Sequence, residues 1–171
     1  MATHGFHFSL KLACSVLLTA TLFTLVLLRS DSVVSAQTGP QPFDKMVRAE
    51  HKHFVEYQQD FVSFGQSSLG TDEYQIAMDL EKVALETSQN LSAVHTLLEI
   101  YSDLSCEEDR ASVRPVIEKE LGYYSKEIEL SIEGANINIA HTQKPGVAAE
   151  GTHMRDRLRE VKSIFDSIKL R

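Results

Sequence analysis

The sequence is poor in residues that interrupt regular structure and in residues that cross-link it. Among 171 residues there are four prolines, eight glycines and two cysteines, while 43% of the residues are hydrophobic and 24% are charged. This composition is typical of a globular chain and not of a disordered or low-complexity one. The length leaves room for one domain once a targeting segment is removed.

The sequence also lacks the short motifs of common catalytic and cofactor sites. It contains no Cys-x-x-Cys-His for covalent haem, no His-Glu-x-x-His, no glycine-rich phosphate loop and no Gly-x-Ser-x-Gly elbow. These absences favour a non-enzymatic protein, although they do not exclude an enzyme. The formal net charge of −7 indicates that nucleic acid is a poor partner, because an acidic surface repels the phosphate backbone.

An uncharged apolar run near the N-terminus indicates a targeting segment. The run covers residues 12–28, Lys11 precedes it, and small residues stand three and one positions before Gln37. This is the pattern of a secretory signal peptide over residues 1–36, cleaved before Gln37. We therefore expect an exported protein, periplasmic or extracellular.

The alternative interpretation of the same run is an uncleaved anchor. Its seventeen residues fall short of the ~20 needed to span a bilayer, but tilt and flanking residues would extend its reach. In that case residues 12–28 would hold the rest of the chain at a membrane. Contact with a membrane is expected only under this alternative.

The small number of cysteines limits the disulfides that the chain can form. Cys14 would leave with the signal peptide, so Cys106 would be the only thiol and no internal disulfide could form. In an oxidising compartment such a thiol is either inert or pairs with another chain. Its place at a predicted helix start favours a thiolate, whereas the acidic residues that follow oppose one. Cys106 is thus a candidate redox or intermolecular thiol.

After a polar leader over residues 37–42, apolar residues recur at helical spacing in four segments. They predict helices over about 43–65, 71–104, a third segment ending near 141, and 147–170. Pro115 leaves two alternatives for the third, a helix starting near Ser112 after a short turn, or a helix kinked at the proline. A short extended segment over 136–139 is a further alternative.

Four amphipathic helices with short connections predict an all-α domain over residues 43–171. The expected architecture is an antiparallel up-down-up-down four-helix bundle in which two long helices are central. The last helix carries a coiled-coil-like seam with apolar residues spaced by four and three, namely Met154, Leu158, Val161, Phe165 and Ile168.

One polar residue falls on an apolar seam and so becomes a candidate ligand. Glu50 lies among aromatic residues of the first helix, where a carboxylate is costly unless it is paired, protonated or bound to metal. His53 follows it, and His95 and Glu99 are predicted at the same level of the second helix. Such a group would suit a divalent ion such as Zn, Mn or Fe. The alternative is a salt bridge or a polar patch in the core.

Two functions from different classes follow. The leading hypothesis is an exported helical-bundle protein that acts as a non-enzymatic interaction or structural module, through an unknown protein partner or self-association and without a cofactor. The alternative is a metal-binding four-helix bundle that holds a divalent metal with Glu and His ligands.

Overall fold

A computed structural model describes residues 42–170, with side chains from Phe43 onward. The predicted signal peptide, the alternative anchor and the leader up to residue 41 lie outside the described residues. In the described part, the structure contains no helix that is long and apolar enough to cross a membrane.

Four helices make up the described chain: α1 spans Pro42–Gln66, α2 Asp72–Asp103, α3 Glu107–His141 and α4 Pro145–Ser167. No strand occurs between residues 42 and 170. The prediction of an all-α fold with four helices is therefore confirmed for residues 42–170. As expected, α2 and α3 are the longest, with 32 and 35 residues.

The first connection forms as its residue types predict. Gly70 has a φ of 81°, a left-handed conformation that glycine adopts without a side-chain clash. Thr71 then stands in extended conformation at the N-cap of α2. Asp72 and Glu73 occupy the first turn, where their negative charges interact favourably with the helix dipole.

The start of α3 differs from one of the expectations. The helix begins at Glu107, not near Ser112, so Pro115 lies inside it and cannot donate the usual backbone hydrogen bond. Three acidic residues in the first turn favour the earlier start through the helix dipole. Arg110 Nε also donates to Leu104 O at 2.7 Å, which ties this turn to the preceding connection.

The end of α3 is helical up to His141, so the extended segment over 136–139 is not formed. The Asn138 side chain bonds within this helix, because its Nδ2 donates to the Gly134 carbonyl, one turn earlier, at 3.0 Å. The alternation of Asn and Ile over residues 136–139 did not reveal this bond between the Asn138 side chain and a carbonyl of its own helix.

The helices contact one another in chain order, α4 also packs against α1, and α2 touches α4. All four contribute to one apolar core. The seam predicted on the last helix is buried throughout, from Met154 at 0% exposed to Ile168 at 8%. Burying one such side chain stabilises the fold by roughly 1.5–3 kcal/mol.

Tyr101 shows how the core admits a polar group. Its ring is 1% exposed, while its hydroxyl accepts a hydrogen bond from Arg114 Nε at 3.2 Å. Arg114 in turn reaches Glu107 at 3.1 Å. The contact joins the end of α2 to the first turns of α3, where Pro115 has removed a backbone bond.

Candidate functional site

The candidate ligand Glu50 is buried, as its place on the seam predicted. It is 8% exposed, and its Oε1 accepts a hydrogen bond from Arg157 Nη1 of α4 at 3.2 Å. The same Nη1 lies 3.2 Å from Glu160 Oε2. Within residues 42–170, the second oxygen of Glu50, Oε2, is buried and has no hydrogen-bond partner.

Burial controls the electrostatics at this site. Loss of water raises the pKa of the Glu50 carboxyl above its ordinary value, and the Arg157 cation opposes that rise only in part. Burial also raises the pKa of the Tyr57 hydroxyl, with the Glu150 carboxylate acting in the same direction. Glu50 is consequently easier to protonate than a surface glutamate.

A surface pocket of about 360 Å³ lies above this ion pair, lined by Tyr57, His153, Asp156, Arg157 and Glu160. Its one guanidinium already bonds to Glu50 and Glu160, so both carboxylates compete with any anion that would enter. The pocket combines two exposed acids, a cation shared with the buried Glu50 and an exposed imidazole, but none of its side chains is paired as a nucleophile with a base.

His53 lies close to Glu50 in the sequence, but its ring contacts another acid. The His53 Nδ1 atom is 3.4 Å from Glu56 Oε2, and the side chain is 40% exposed. When protonated, His53 lowers the pKa of Glu50 through its charge. Its contribution at Glu50 is therefore electrostatic.

The two candidates on α2, His95 and Glu99, belong to a separate cluster near the start of α1. His95 Nδ1 and Asp44 Oδ1 form a short hydrogen bond. Arg48 Nη2 lies 3.1 Å from His95 Nε2 and 3.3 Å from Glu99 Oε1. Asp44 and Arg48 were not identified from the sequence, although their i, i+4 spacing with opposite charges was a usable signal.

The contacts between α1 and α2 show why the four candidates divide. Asp44 contacts His95, and Gln58 donates to Glu81 at 3.0 Å. A step of fourteen residues forward along α1, from 44 to 58, therefore corresponds to a step of fourteen residues backward along α2, from 95 to 81. Glu50 is then level with residues near 89, about 9 Å along the axis from His95 at 1.5 Å per residue. The structure brings His95 and Glu99 together but does not bring Glu50 and His53 to them.

Over the described residues, no three His, Cys, Asp or Glu side chains converge in an arrangement that could hold a metal ion. Cys106 is exposed at the N-cap of α3 and forms no disulfide. Its position in the α2–α3 connection leaves the thiol accessible to another chain.

One surface feature was missed by the sequence analysis. Four large apolar side chains stand exposed on α3 at intervals of seven residues: Val116 at 40%, Tyr123 at 48%, Leu130 at 52% and Ile137 at 60%. Seven residues are close to two helical turns, so the four share one side of the helix. We call this line the α3 stripe. Its heptad spacing was readable beside the core seam of the same helix.

Comparison of the chain with protein-family models, with curated proteins and with solved structures found no match.

Proposed function

We propose that the chain is an exported helical-bundle protein that works as a non-enzymatic interaction module through its outer surface. The α3 stripe carries this proposal. Single exposed apolar residues are ordinary on protein surfaces, but an aligned set on one side of a long helix supports a surface that a partner covers.

We further propose the antiparallel up-down-up-down order for the bundle. Two contacts support it: Asp44 near the start of α1 meets His95 near the end of α2, and Ser125 Oγ in the middle of α3 donates to Asp166, near the end of α4, at 2.6 Å. This order is the usual outcome when short connections join consecutive helices. It leaves the outward face of α3 open along its whole length.

Export is supported by the sequence pattern of residues 1–36 and is tested by N-terminal sequencing of the protein recovered from cells that express the full chain. Gln37 as the first residue would support cleavage and export. Retention of Met1, with the protein in the membrane fraction, would favour the anchor formed by residues 12–28.

The interaction function is tested by the native size of the protein in the compartment where it accumulates. We expect the wild-type chain to be part of an assembly larger than a monomer. The double variant Tyr123→Ser/Leu130→Ser should run as a monomer, because it removes the centre of the α3 stripe. Val62→Ser on α1, where Val62 is 37% exposed, is the control. A wild-type protein that is monomeric there would overturn the proposal.

A second proposal, binding of a divalent metal, has one specific observation in its favour. Glu50 Oε2 is a buried carboxylate oxygen with no partner in the described chain, and such an atom is costly unless something binds it. Elemental analysis of the protein purified without a His tag or chelator tests the idea. Stoichiometric metal that is lost in Glu50→Gln would support it, whereas metal-free folded protein would exclude it.

A further inference from the structure

The imidazole ring of His95 on α2 lies among side chains of both signs. Its Nδ1 atom bonds to Asp44 Oδ1, while its Nε2 atom lies 3.1 Å from Arg48 Nη2 and 3.5 Å from Glu99 Oε1. Over the described residues, no ion pair joins the ring to α3 or α4. The charged groups in contact with His95 are therefore Asp44 and Arg48 of α1 and Glu99 of α2 itself.

The contact with Arg48 identifies which ring nitrogen carries the proton. A guanidinium has only donors, so His95 Nε2 accepts the hydrogen bond from Arg48 Nη2. The ring is then neutral, its one proton is on Nδ1, and Nδ1–H donates to Asp44 Oδ1. In this form the ring makes both of its hydrogen bonds to α1, and Glu99 receives no hydrogen from it.

A second proton on the ring would change its partner at Nε2. The new N–H would point at Arg48 Nη2, and two positively charged donors repel each other at such a distance. Glu99 Oε1 lies 3.5 Å from the same nitrogen and is able to accept the hydrogen. Imidazole side chains gain and lose this proton between pH 5 and 8. The geometry therefore couples the charge of His95 to the choice between two neighbours.

The cluster accommodates both forms of the ring. Two carboxylates and one guanidinium give a net charge of −1 with the neutral ring, and protonation brings the sum to zero. Arg48 is free to move, because its side chain is 61% exposed, and it keeps Asp44 Oδ2 at 3.7 Å and Glu99 Oε1 at 3.3 Å as further partners. Neither form leaves an unpaired charge in the contact between α1 and α2.

We propose that His95 is a pH-operated switch in the contact between α1 and α2. At higher pH the neutral ring bonds to Arg48, and at lower pH the protonated ring bonds to Glu99. Asp44 holds Nδ1 in both states and so fixes the ring while its other partner changes. The switch goes beyond the proposed interaction function, because it makes the packing of the first two turns of α1 respond to the pH of the compartment.

Nitrogen-15 NMR of the histidine rings tests both states in the protein purified from cells that express the full chain. The spectrum of His95→Asn identifies the signals of His95. At pH 8 the ring should carry its proton on Nδ1. At pH 5 both nitrogens should be protonated, and the Nε2–H signal should persist because its bond to Glu99 slows exchange with water. A proton on Nε2 at pH 8, or a ring that is still neutral at pH 5, would overturn the proposal.

The partner of the protonated ring is tested with Glu99→Met. We expect this variant to lose the Nε2–H signal at pH 5 and to keep the proton on Nδ1 at pH 8. Glu86→Met is the control, because Glu86 belongs to the same helix and its side chain is 47% exposed, against 53% for Glu99. It should keep the signal. Persistence of the signal in Glu99→Met would contradict Glu99 as the acceptor.

Double-mutant cycles measure the exchange of partners as a change in coupling. His95→Asn keeps a donor toward Asp44 and removes Nε2, and it is combined in turn with Arg48→Met and Glu99→Met. In urea denaturation, the coupling of His95 to Arg48 should favour folding by about twofold or more at pH 8 and should vanish or reverse at pH 5. The coupling of His95 to Glu99 should be larger at pH 5 than at pH 8.

A ring with only a structural role would give couplings that are equal at both pH values, and that result would overturn the switch. The raised pKa of Glu50 affects every member of a cycle alike and cancels. The NMR spectra of the wild-type protein decide the proposal without any variant that has to fold, apart from the one used for assignment.

Discussion

Glu50 of α1 and Arg157 of α4 form an ion pair in which only one oxygen of the carboxylate is satisfied. Nη1 lies 3.2 Å from Oε1, while Oε2 is buried without a hydrogen-bond partner among the described residues. Arg157 is 36% exposed and Glu50 only 11% by side chain. The acid therefore depends on the arginine much more than the arginine depends on the acid.

Removal of the arginine should reveal that dependence. Arg157→Ala leaves Glu50 buried without its cation, and we expect a loss of roughly 1–3 kcal/mol in the free energy of unfolding. Replacing both residues, Glu50→Met/Arg157→Met, should cost less than the single change, because no unpaired charge remains in the interface. Urea denaturation measures both.

The control for that comparison is Arg159→Ala, whose side chain is 54% exposed and pairs with Asp156 on the surface. We expect it to change stability by less than ~1 kcal/mol. Equal effects of Arg157→Ala and Arg159→Ala would show that Glu50 does not rely on Arg157.

The raised pKa of Glu50 predicts a pH dependence of known sign. Between the unfolded value of about 4.5 and the higher folded pKa, the folded protein binds more protons than the unfolded chain. The contribution of Glu50 to stability is therefore largest below pH 4.5 and decreases as pH rises through the folded pKa. Glu50→Gln, which carries no charge, should gain stability relative to the wild type over the same rise.

Thermal unfolding of both proteins from pH 4 to pH 8 measures this difference. Other carboxyls, such as Asp166 with its lowered pKa, affect wild type and variant alike and cancel in the comparison. Glu86→Gln, which changes an exposed carboxyl paired with Lys82 and without influence on Glu50, serves as the control. A difference in melting temperature between Glu50→Gln and the wild type that stays constant at all pH values would disprove the raised pKa of Glu50.

Glu73 at the start of α2 holds the α3–α4 connection. Its carboxylate accepts hydrogen bonds from Thr142 Oγ1 at 2.5 Å and from the Gln143 amide at 2.6 Å, and these bonds lower its pKa. The contribution of Glu73 to stability is therefore present above pH 4.5 and is lost as pH falls through the lowered folded pKa. Glu73→Ala should speed hydrogen exchange at the Gln143 amide.

Exchange at the other end of the bundle provides the comparison for Glu73→Ala. The Arg110 amide, which donates to Cys106 O at 3.1 Å, should exchange at the same rate in both proteins. Unaltered exchange at Gln143 would show that Glu73 does not order the connection.

Two helical glycines should respond in opposite directions to alanine. A Cβ at Gly151 would lie 2.8 Å from Ile139 Cγ1 and 3.5 Å from Leu80 Cδ1, so overpacking should cost roughly 1–3 kcal/mol. A Cβ at Gly122 meets nothing within 4 Å. Gly122→Ala should then stabilise the helix by up to about 1 kcal/mol through helix propensity.

Thermal denaturation of these two variants tests how closely α3 and α4 approach. Gly122 is the matched control because it is helical and exposed. Similar melting temperatures for Gly151→Ala and Gly122→Ala would contradict the close packing of α4 on Ile139.

Much of the fold was predictable because burial and helical period are local properties of the sequence. The seam from Met154 to Ile168 and the inward position of Glu50 both followed from spacing alone and are confirmed by burial. The start of α3 was harder to predict, because the inhibiting effect of Pro115 competes with the acidic first turn and with the bonds made by Arg110 and Arg114.

The grouping of candidate ligands was not predictable to the same degree. Whether His95 meets Glu50 or Asp44 depends on the axial register of two helices, and a shift of six residues moves a contact by about 9 Å. The partner of Glu50 was equally hidden, because Arg157 lies 107 residues away. Sequence spacing contains no direct information about either relationship.

Residue type and helical period are enough to specify the four helices, the apolar faces that they bury and the acidic surface. The pairing of polar residues and the choice of apolar residues that stay exposed depend instead on how the helices are rotated and aligned against one another, so these two features came from the packed structure. The α3 stripe illustrates the difference: its heptad spacing was present in the sequence, but packing of the opposite face of α3 into the core is what left it exposed.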